Sequence, residues 1–472
     1  MTPLLAARQP HRKLLNRGNA AAARGDNAGA EAAFRAYIAE VPDDPKVLFN
    51  LGALRQHAMK GTKDSASLRR YAAEATEFYC AAIESPHPDP ETKADALNNQ
   101  ALVLLHLGHP EKAKISLHLA LQLNPEHRAA RLNYADILVF DGEYDAADRE
   151  FFEIINSDPN SAGAQFSRSM ILLLTGDIRR GFREYRARFR VASFPSKIMA
   201  TQMPMWNGES LDGKTIIVTT EQGHGDQFMG ARFFAEMRKL YPASKIYFSA
   251  AEKLHLLFKG CIGLDGCLPD HLTPEFASAC PPFDYHAPIL HLPDILGTTL
   301  HTIPGDLPYI LPHPDWIHLP LEATDKRRVG LCWAGSPLHG KDKWRSMTTG
   351  HFQRFIDAAP HCQFYSLQCG PRAHEVMELH GRVDLAQHIH DWTQTATAIL
   401  QMSLVITVDT AIAHLAGALG VPCWILLPTS PDWRWMLGRD DSPWYPNARL
   451  FRQSVRDDWE PVIQRVCAEL QK

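Results

Sequence analysis

The sequence predicts a helical repeat domain followed by two α/β domains, each built on a parallel sheet. Small residues, larger apolar residues and prolines recur about every 34 residues through the N-terminal part, with Pro125 and Pro159 in register. After Gly213 the pattern changes to short apolar strands, glycine turns and helices. The stretch from Ser403 to Leu427 predicts two buried strands around a short helix, which is the repeating unit of a parallel sheet.

Length and composition are typical of a globular protein of two or three domains. The chain has 472 residues, of which 45% are hydrophobic and 22% charged, and its formal net charge is −4. This composition provides no overall basic field for binding nucleic acid. Since no apolar run reaches the ~20 residues of a spanning helix and no signal peptide is recognisable, we expect a cytoplasmic protein that is not integral to a membrane.

Neither a disulfide framework nor a metal site is indicated. The nine cysteines are odd in number and form no CxxC pair. The histidines are not at the spacing of metal ligands, and no Asp-x-Asp follows an apolar strand. The sequence therefore predicts no metal and no cofactor.

The repeated segments predict pairs of helices that cross at small residues, with a larger side chain filling the gap to the next pair. This pattern resembles the tetratricopeptide repeat family over residues 10–192, with a polar insertion around residues 60–70. The successive copies contain Gly18, Ala30, Phe34 and Pro42; Gly52, Phe78, Ala81 and Pro86; Ala101, Ala113, Leu117, Ala120 and Pro125; Ala135, Ala147, Phe151 and Pro159; and, in a degenerate fifth copy, Ser169, Leu172, Gly181 and Tyr185.

Four asparagines on the first helices of the repeats are candidates for binding a client protein. The amides of Asn50, Asn98, Asn99 and Asn133 could hold a peptide backbone through paired donors and acceptors. They could equally be solvated, and the repeats could instead form a homodimer.

Residues 193–213 are predicted to be a linker, residues 214–315 the first α/β domain and residues 316–472 the second. In the first domain a strand at Thr215–Thr220 is followed by a glycine turn and a helix at Met229–Tyr241. Further predicted strands are Lys245–Ser249, Tyr285–Leu290, Leu307–Ile310 and Cys362–Leu367, and further predicted helices are Thr349–Ala359 and Trp392–Gln401.

The glycine turn of the first α/β domain carries a candidate base. Gly223 and Gly225 would allow close approach of backbone or ligand, but the third glycine of a dinucleotide site is missing, which excludes a nicotinamide site. Asp226 could accept a proton from an acceptor hydroxyl. The alternatives are that Asp226 only caps the helix, or that His224 is the base.

A candidate anion site follows the strand Leu404–Val408 of the second domain. The amides of Thr410 and Ala411 begin a helix directly after Asp409, and free amides at a helix start attract a diphosphate. The alternative is that Asp409 and Thr410 merely cap this helix.

Further ligand-binding candidates lie in two loops. Ser336, Lys341, Lys343 and Arg345 follow the end of another predicted strand, where phosphate-binding cations are expected, although a solvated basic loop is the alternative. Near the C-terminus, side chains that could stack on a base or sugar are Trp433, Arg434 and Trp444.

Four segments resemble the bacterial glycosyltransferases of the heptosyltransferase-like type, family 9, over residues 195–472: EQGHGDQ, WAGSPLHGKDKWRSM, DTAIAHLAGALGVPCWILLP and PDWRWMLGRDDSPWYP. The resemblance implies a GT-B unit, in which two Rossmann-like domains face each other across a cleft. It makes Asp226 the general base, and it places Asp409, Thr410 and His414 at the donor sugar and diphosphate. It also puts Lys343 or Arg345 near the cation that neutralises the leaving diphosphate.

Together these features predict a metal-independent inverting glycosyltransferase. The donor is a nucleotide-sugar, and the acceptor is a Ser or Thr hydroxyl of a client protein bound by the repeats, with a flagellar or surface protein as one class of client. Two alternatives remain open. One is a non-catalytic repeat adaptor with a degenerate sugar-nucleotide-binding unit, and the other is a transferase acting on a lipid-linked or polysaccharide acceptor.

Overall fold

The computed structural model of the chain describes residues 3–62, 64–337, 339 and 342–472. The chain divides into two compact units, one ending at Ala164 and the other running from Gln165 to Lys472. Among the described residues, no helix has both the length and the apolar character needed to cross a membrane.

The first unit consists of helices that pack in consecutive pairs, as the repeat pattern predicts. Aspartates cap several of them: the Asp44 carboxylate accepts hydrogen bonds from the amides that open α3, and Asp89 does the same for α5. The helices are α1 (Pro3–Ala23), α2 (Asn27–Ile38), α3 (Pro45–Gly61), α4 (Ser65–Glu84), α5 (Pro90–His106), α6 (Pro110–Leu123), α7 (Arg128–Asp141) and α8 (Tyr144–Ser157), and α9 (Ala162–Thr175) crosses the division between the units.

Glycines in the first helix of two repeats make room for an aromatic ring from the second helix. A Cβ atom added at Gly18 would lie 2.4 Å from the Phe34 ring, and one added at Gly52 would lie 2.6 Å from the Tyr79 ring. The prediction that Phe78 and Ala81 occupy these core positions in the second copy is wrong. The buried residues are Tyr79 and Ala82, because the insertion lengthens both helices and shifts the register by one residue.

The first α/β domain contains a four-stranded parallel sheet in the order β3-β2-β1-β4. The preceding irregular segment packs against this sheet through the buried Trp206, whose amide donates to the carbonyl of His286 at 2.8 Å. Helix α10 (Ile178–Tyr185), the last helix of the repeat region, precedes the domain. The elements of the domain are β1 (Thr215–Thr219), α11 (His224–Gly230), α12 (Arg232–Leu240), β2 (Lys245–Ser249), α13 (Glu252–Phe258), β3 (Gly266–Leu268), α14 (Pro274–Ala279), β4 (Tyr285–Pro288) and α15 (Leu292–Ile295).

The second α/β domain contains a six-stranded parallel sheet in the order β10-β9-β8-β5-β6-β7. Its central strands β5 and β8 are apolar and buried, as expected for a parallel sheet covered on both faces. The elements are β5 (Arg327–Cys332), α16 (Asp342–Arg345), α17 (Thr349–Ala358), β6 (Cys362–Ser366), β7 (Arg382–Asp384), α18 (Trp392–Leu400), β8 (Leu404–Val408), α19 (Ala411–Ala418), β9 (Cys423–Leu427), β10 (Ala448–Arg452) and α20 (Glu460–Leu470).

The predicted architecture, helical repeats followed by two α/β domains that are each built on a parallel sheet, is confirmed. The predicted strand at Leu307–Ile310 is wrong. Ile310 forms only an isolated antiparallel bridge with Cys261, and Pro308 has no amide hydrogen to donate to a strand ladder.

The end of the repeat region belongs to the second unit, although the sequence pattern continues to residue 192. Directly after α10, the Arg188 guanidinium donates to both carboxylate oxygens of Glu221, each at 2.7 Å, and neither side chain is exposed. Glu221 Oε1 also accepts the amide of Leu290 at 2.8 Å. The hydroxyl of Tyr185 accepts from Gln222 Nε2 at 2.5 Å. The last repeat helix is thereby bonded to the loop between β1 and α11.

The buried pair of Arg188 and Glu221 generates the first prediction. Arg188→Met leaves an uncompensated buried carboxylate and should lower the unfolding free energy of the second unit by about 3–5 kcal/mol. Tryptophan fluorescence during urea unfolding measures this unit selectively, because all ten tryptophans lie at Trp206 or beyond.

The matched control is the double variant Arg188→Met with Glu221→Gln. Glutamine is neutral and can still accept the Leu290 amide, so most of the lost stability should return. Equal losses in the single and double variants would contradict an electrostatic origin.

Candidate active site

Asp226 lies in the first turn of α11, at the carboxyl end of β1. Its Oδ2 accepts the amide of Gly223 at 2.9 Å, so it does cap the helix, and its Oδ1 forms an ion pair with Arg434 Nη2. The side chain is only 15% exposed. Burial raises the pKa of Asp226, while the charge of Arg434 acts in the opposite direction. Asp226 is therefore more than a cap, because it reaches a cation 208 residues further along the chain.

At Gly225 the glycine turn of the first α/β domain lies against α19 of the second domain. A Cβ atom added there would lie 2.7 Å from Cδ2 of His414 and 3.5 Å from Cα of Ala411, both in α19. At Gly223 the nearest atom would be Asp226 Oδ2 at 3.4 Å, which is an ordinary contact. The close approach predicted for the glycine turn is thus made at Gly225, and the neighbouring group is the other domain.

Arg434 joins the two domains. Its Nη1 donates to Asp432 Oδ1 at 2.7 Å while its Nη2 contacts Asp226, and its side chain is 8% exposed. The two carboxylates raise the pKa of the guanidinium, so it stays charged. The guanidinium also lies over the ring of Trp433, 4.1 Å from the centroid. The sequence analysis missed Asp432, whose position in an aromatic loop gave no signal for an ion pair.

The two tryptophans predicted to stack on a ligand are core residues. Trp433 is 2% exposed and Trp444 is fully buried. Their rings pack edge-on against each other at 5.9 Å and against Phe182 of α10 at 5.4 and 6.1 Å. The prediction of a stacking surface at these rings is not supported, because the apolar rings are enclosed by the last repeat helix.

Asp409 follows β8 directly, opposite the turn that carries Asp226. Its backbone carbonyl accepts a hydrogen bond from Arg345 Nη1 at 2.8 Å. Burial and the nearby charge of Asp432 raise the pKa of the Asp409 carboxyl to about 6, against the attraction of Arg345. Asp409, Asp432 and Arg434 therefore belong to one electrostatic cluster.

Thr410 and Ala411 begin α19, the helix predicted to bind an anion. The Thr410 hydroxyl accepts the amide of Ile412 at 3.3 Å and lies 3.1 Å from the hydroxyl of Thr407. Its side chain is buried, so it caps the helix, whereas Ala411 is partly exposed. The Thr410 side chain therefore has the capping role that the sequence left open as the alternative.

His414 is held in an aromatic environment one turn into α19. Its ring stacks on Trp435 at 5.1 Å, and its Nδ1 lies 3.0 Å from the hydroxyl of Tyr445. Burial lowers the pKa of His414 to about 3, so the imidazole is neutral near pH 7 and adds no positive charge to the site.

The predicted basic loop contributes Arg345 to the cluster. Gly335 leaves space for this side chain, since an added Cβ atom would lie 2.3 Å from Arg345 Nη2. Arg345 Nε also lies 3.3 Å from Asp342 Oδ1. Lys343 is exposed, with its ammonium 4.2 Å from the centroid of the Trp344 ring.

The remaining candidates in and near this loop differ in position. Lys341 lies outside the described residues. Ser336 precedes the loop, and its carbonyl accepts the amide of His339 at 3.0 Å.

His224, the competing base, packs against Trp392 with ring centroids 5.2 Å apart, and burial lowers its pKa to about 4. At that pKa His224 is a poor proton acceptor at neutral pH.

Arg232 is a further structural residue that the sequence analysis missed. It is buried in α12, where Nη2 donates to the hydroxyl of Tyr309 at 3.1 Å. Its Nη1 donates to the carbonyls of Pro304, at 3.0 Å, and of Trp444. An arginine beside Phe233 on the apolar face of a helix is the signal that could have identified it.

The asparagines of the repeats are linked to one another. Asn133 Nδ2 donates to Asn98 Oδ1 at 2.7 Å, and Asn98 Nδ2 donates to Asn99 Oδ1 at 3.1 Å. Asn98 is buried, whereas Asn50, Asn99 and Asn133 are partly exposed. The row of amides therefore runs from α5 to α7 within the first unit.

Within the described part of the chain, no group of three metal-ligating side chains is present.

Comparison with known proteins gives matches to both regions of the chain. The Tetratricopeptide repeat family matches residues 94–167. Protein FlbA of Caulobacter vibrioides is 26% identical over 496 aligned residues, which cover 94% of this chain and 82% of FlbA.

Two solved structures resemble the α/β region. The ADP-heptose lipopolysaccharide heptosyltransferase II of E. coli is 15% identical over 54% of this chain and 97% of its own, with a TM-score of 0.39. A family 9 glycosyl transferase of Veillonella parvula is 16% identical over 52% of this chain and 88% of its own, with a TM-score of 0.37.

The contact at Gly225 generates the second prediction. Gly225→Ala places a methyl group against the stacked His414 ring, and we expect a loss of about 1–3 kcal/mol in the unfolding free energy of the second unit. Gly223→Ala is the matched control, with an expected loss below about 1 kcal/mol, because φ there is −85° and an added Cβ atom makes only an ordinary contact with Asp226 Oδ2. Similar losses in both variants, by tryptophan fluorescence, would show that the domains are not in contact at Gly225.

The raised pKa of Asp409 generates the third prediction. The folded state holds this proton more tightly than the unfolded state, so the stabilisation is complete below about pH 4 and is lost as pH rises through about 6. Asp409→Asn removes this loss. We therefore compare the unfolding free energies of the variant and the wild type at each pH. The difference, variant minus wild type, should increase by roughly 3 kcal/mol between about pH 4 and about pH 7. A difference that is flat with pH in urea titrations would contradict the raised pKa.

Proposed function

Because the chain carries tetratricopeptide repeats ahead of two parallel sheets, we propose that it is a metal-independent, inverting glycosyltransferase acting on a client protein in the cytoplasm. The observation that carries the proposal is the meeting of two carboxyl edges. Asp226 follows β1 and Asp409 follows β8, and the elements that hold them touch at Gly225 and His414. In parallel sheets this edge is where ligands bind.

In this proposal Asp226 is the general base. It accepts the proton of a Ser or Thr hydroxyl as the hydroxyl oxygen attacks the anomeric carbon of the donor sugar. The bond from that carbon to the diphosphate oxygen breaks, and the electron pair leaves with the nucleoside diphosphate. Because attack and departure occur on opposite faces of the sugar, the configuration at the anomeric carbon inverts.

The leaving diphosphate is stabilised by groups from the second domain. The backbone amides of Thr410 and Ala411 open α19 and supply partial positive charge. Arg345 donates to the carbonyl of Asp409, and the exposed Lys343 lies on the same short helix, α16. Preorganised donors of this kind act where charge develops in the transition state, which is why the proposal needs no metal.

The repeats are proposed to hold the client. Asn98, Asn99 and Asn133 form a continuous row of amides, and amide side chains offer the donor and acceptor pair that an extended peptide backbone needs. Flagellar and surface proteins are the class of client that we propose.

One observation favours the adaptor alternative. Asp226 is ion-paired with Arg434, and the positive charge of Arg434 reduces the basicity that burial gives to the Asp226 carboxylate. An adaptor that only senses a sugar nucleotide would bind the donor without transferring the sugar. Binding and transfer must therefore be measured separately.

The fourth prediction tests transfer. The full chain is incubated with a panel of nucleotide-sugars and flagellin or another hydroxyl-rich surface protein, and intact mass spectrometry of the client should show the addition of one or more sugars. Asp226→Asn should lower the rate by about 10²- to 10⁴-fold, because it removes the base.

Thermal shift with the same nucleotide panel reports binding independently of transfer. A stabilising nucleotide whose effect is lost in Asp409→Ala or Lys343→Ala would identify the donor class. Nucleotide binding with unchanged client mass would favour the adaptor, and transfer that survives in a folded Asp226→Asn variant would exclude Asp226 as the base.

A further inference from the structure

The two guanidiniums that could bind a diphosphate, those of Arg345 and Arg434, contact carboxylates. Arg434 contacts Asp226 and Asp432, and Arg345 lies 3.3 Å from a carboxylate oxygen of Asp342. All of these side chains except Asp432 are 15% exposed or less. A diphosphate therefore has to compete with the protein's own acids for these guanidiniums.

The charge balance makes this competition unavoidable. Among the described residues, the electrostatic cluster contains the carboxyls of Asp226, Asp409 and Asp432 against the guanidiniums of Arg345 and Arg434. With every group ionised, acids outnumber bases, and a diphosphate adds further negative charge. A guanidinium that turns from a carboxylate toward the phosphates makes binding more favourable.

Arg434 is placed to make this exchange. Its two terminal nitrogens have different partners, since Nη1 bonds to Asp432 at 2.7 Å while Nη2 pairs with Asp226. Asp432 is two residues away on the same loop and can hold one side of the fork while the other side changes partner. A guanidinium matches carboxylate and phosphate oxygens equally well in geometry, and a diphosphate carries the greater charge.

We propose that Arg434 exchanges partners: in the free protein it neutralises Asp226, and in the donor complex it binds the diphosphate and releases Asp226 as a free base. This inference rests on the function proposed above. The base is then active only when a donor is in place. Since coupling between two sites is reciprocal, removal of the Asp226 charge must strengthen diphosphate binding.

The test measures the binding of ADP, GDP, UDP and CDP to the full chain by isothermal titration calorimetry, without any transfer reaction. Asp226→Asn should bind the preferred nucleoside diphosphate on the order of tenfold more tightly than the wild type. Asp441→Asn is the matched control, because it removes an acid from the same loop that is 71% exposed and pairs with Arg439. Its affinity should be unchanged, which separates exchange from a general effect of net charge.

Arg434→Gln completes a double-mutant cycle. It should weaken diphosphate binding on the order of tenfold, and Asp226→Asn should give no gain in the Arg434→Gln background. Should Arg434→Gln fail to fold by tryptophan fluorescence, Arg434→Lys replaces it. Lysine keeps the charge but not the fork, so binding should weaken while the gain from Asp226→Asn is retained in part.

The outcomes separate this inference from the proposed function. Unchanged or weaker binding by Asp226→Asn, with a nucleoside diphosphate bound by the wild type, would mean that Arg434 only orients Asp226 and would overturn the exchange alone. Absence of binding by both the wild type and Asp226→Asn would overturn the exchange and the nucleotide-sugar function together.

Discussion

The second unit depends on charged side chains that are buried where two parallel sheets meet. The turn after β1 holds Asp226, and the loop after β9 holds Asp432 and Arg434. Taking such groups out of water is unfavourable unless each finds a partner, and the raised pKa of Asp226 shows that the nearby guanidinium only partly offsets burial. Replacement of a buried ion pair by well-packed apolar side chains is often neutral or stabilising, so these charges are weak evidence of a contribution to stability.

The last repeat helix supports this cluster from outside. Arg188 and Tyr185 bond to the two residues that precede the turn of Asp226, and Phe182 packs against Trp433, the neighbour of Arg434. The same helix therefore supports both loops that supply the ion pair. This explains why the second unit begins at Gln165 rather than at the end of the repeat pattern. The repeat pattern predicts where helices cross, but the assignment of a helix to one unit depends on its contacts.

Features that depend on local periodicity could be predicted from the sequence. The contact of Gly18 with Phe34 follows from the repeat spacing, and the strand and helix around Asp409 follow from an apolar run, a cap and a glycine stop. The partner of Asp226 could not be predicted, because it lies 208 residues away. Trp433 resembled an exposed stacking residue for the same reason, since the helix that covers it is distant in sequence.

The contacts between the two α/β domains limit how the cluster can change. Gly225 of the first domain lies against His414 of the second. Arg232, from the first domain, donates to the carbonyl of Trp444 in the second. Separating the domains here would expose the neutral His414 ring and remove the Trp444 carbonyl from the Arg232 guanidinium, which is costly. Rotation of the Arg434 side chain breaks one ion pair and leaves the rest of the contact in place. The partner exchange proposed for Arg434 therefore does not require the two domains to separate.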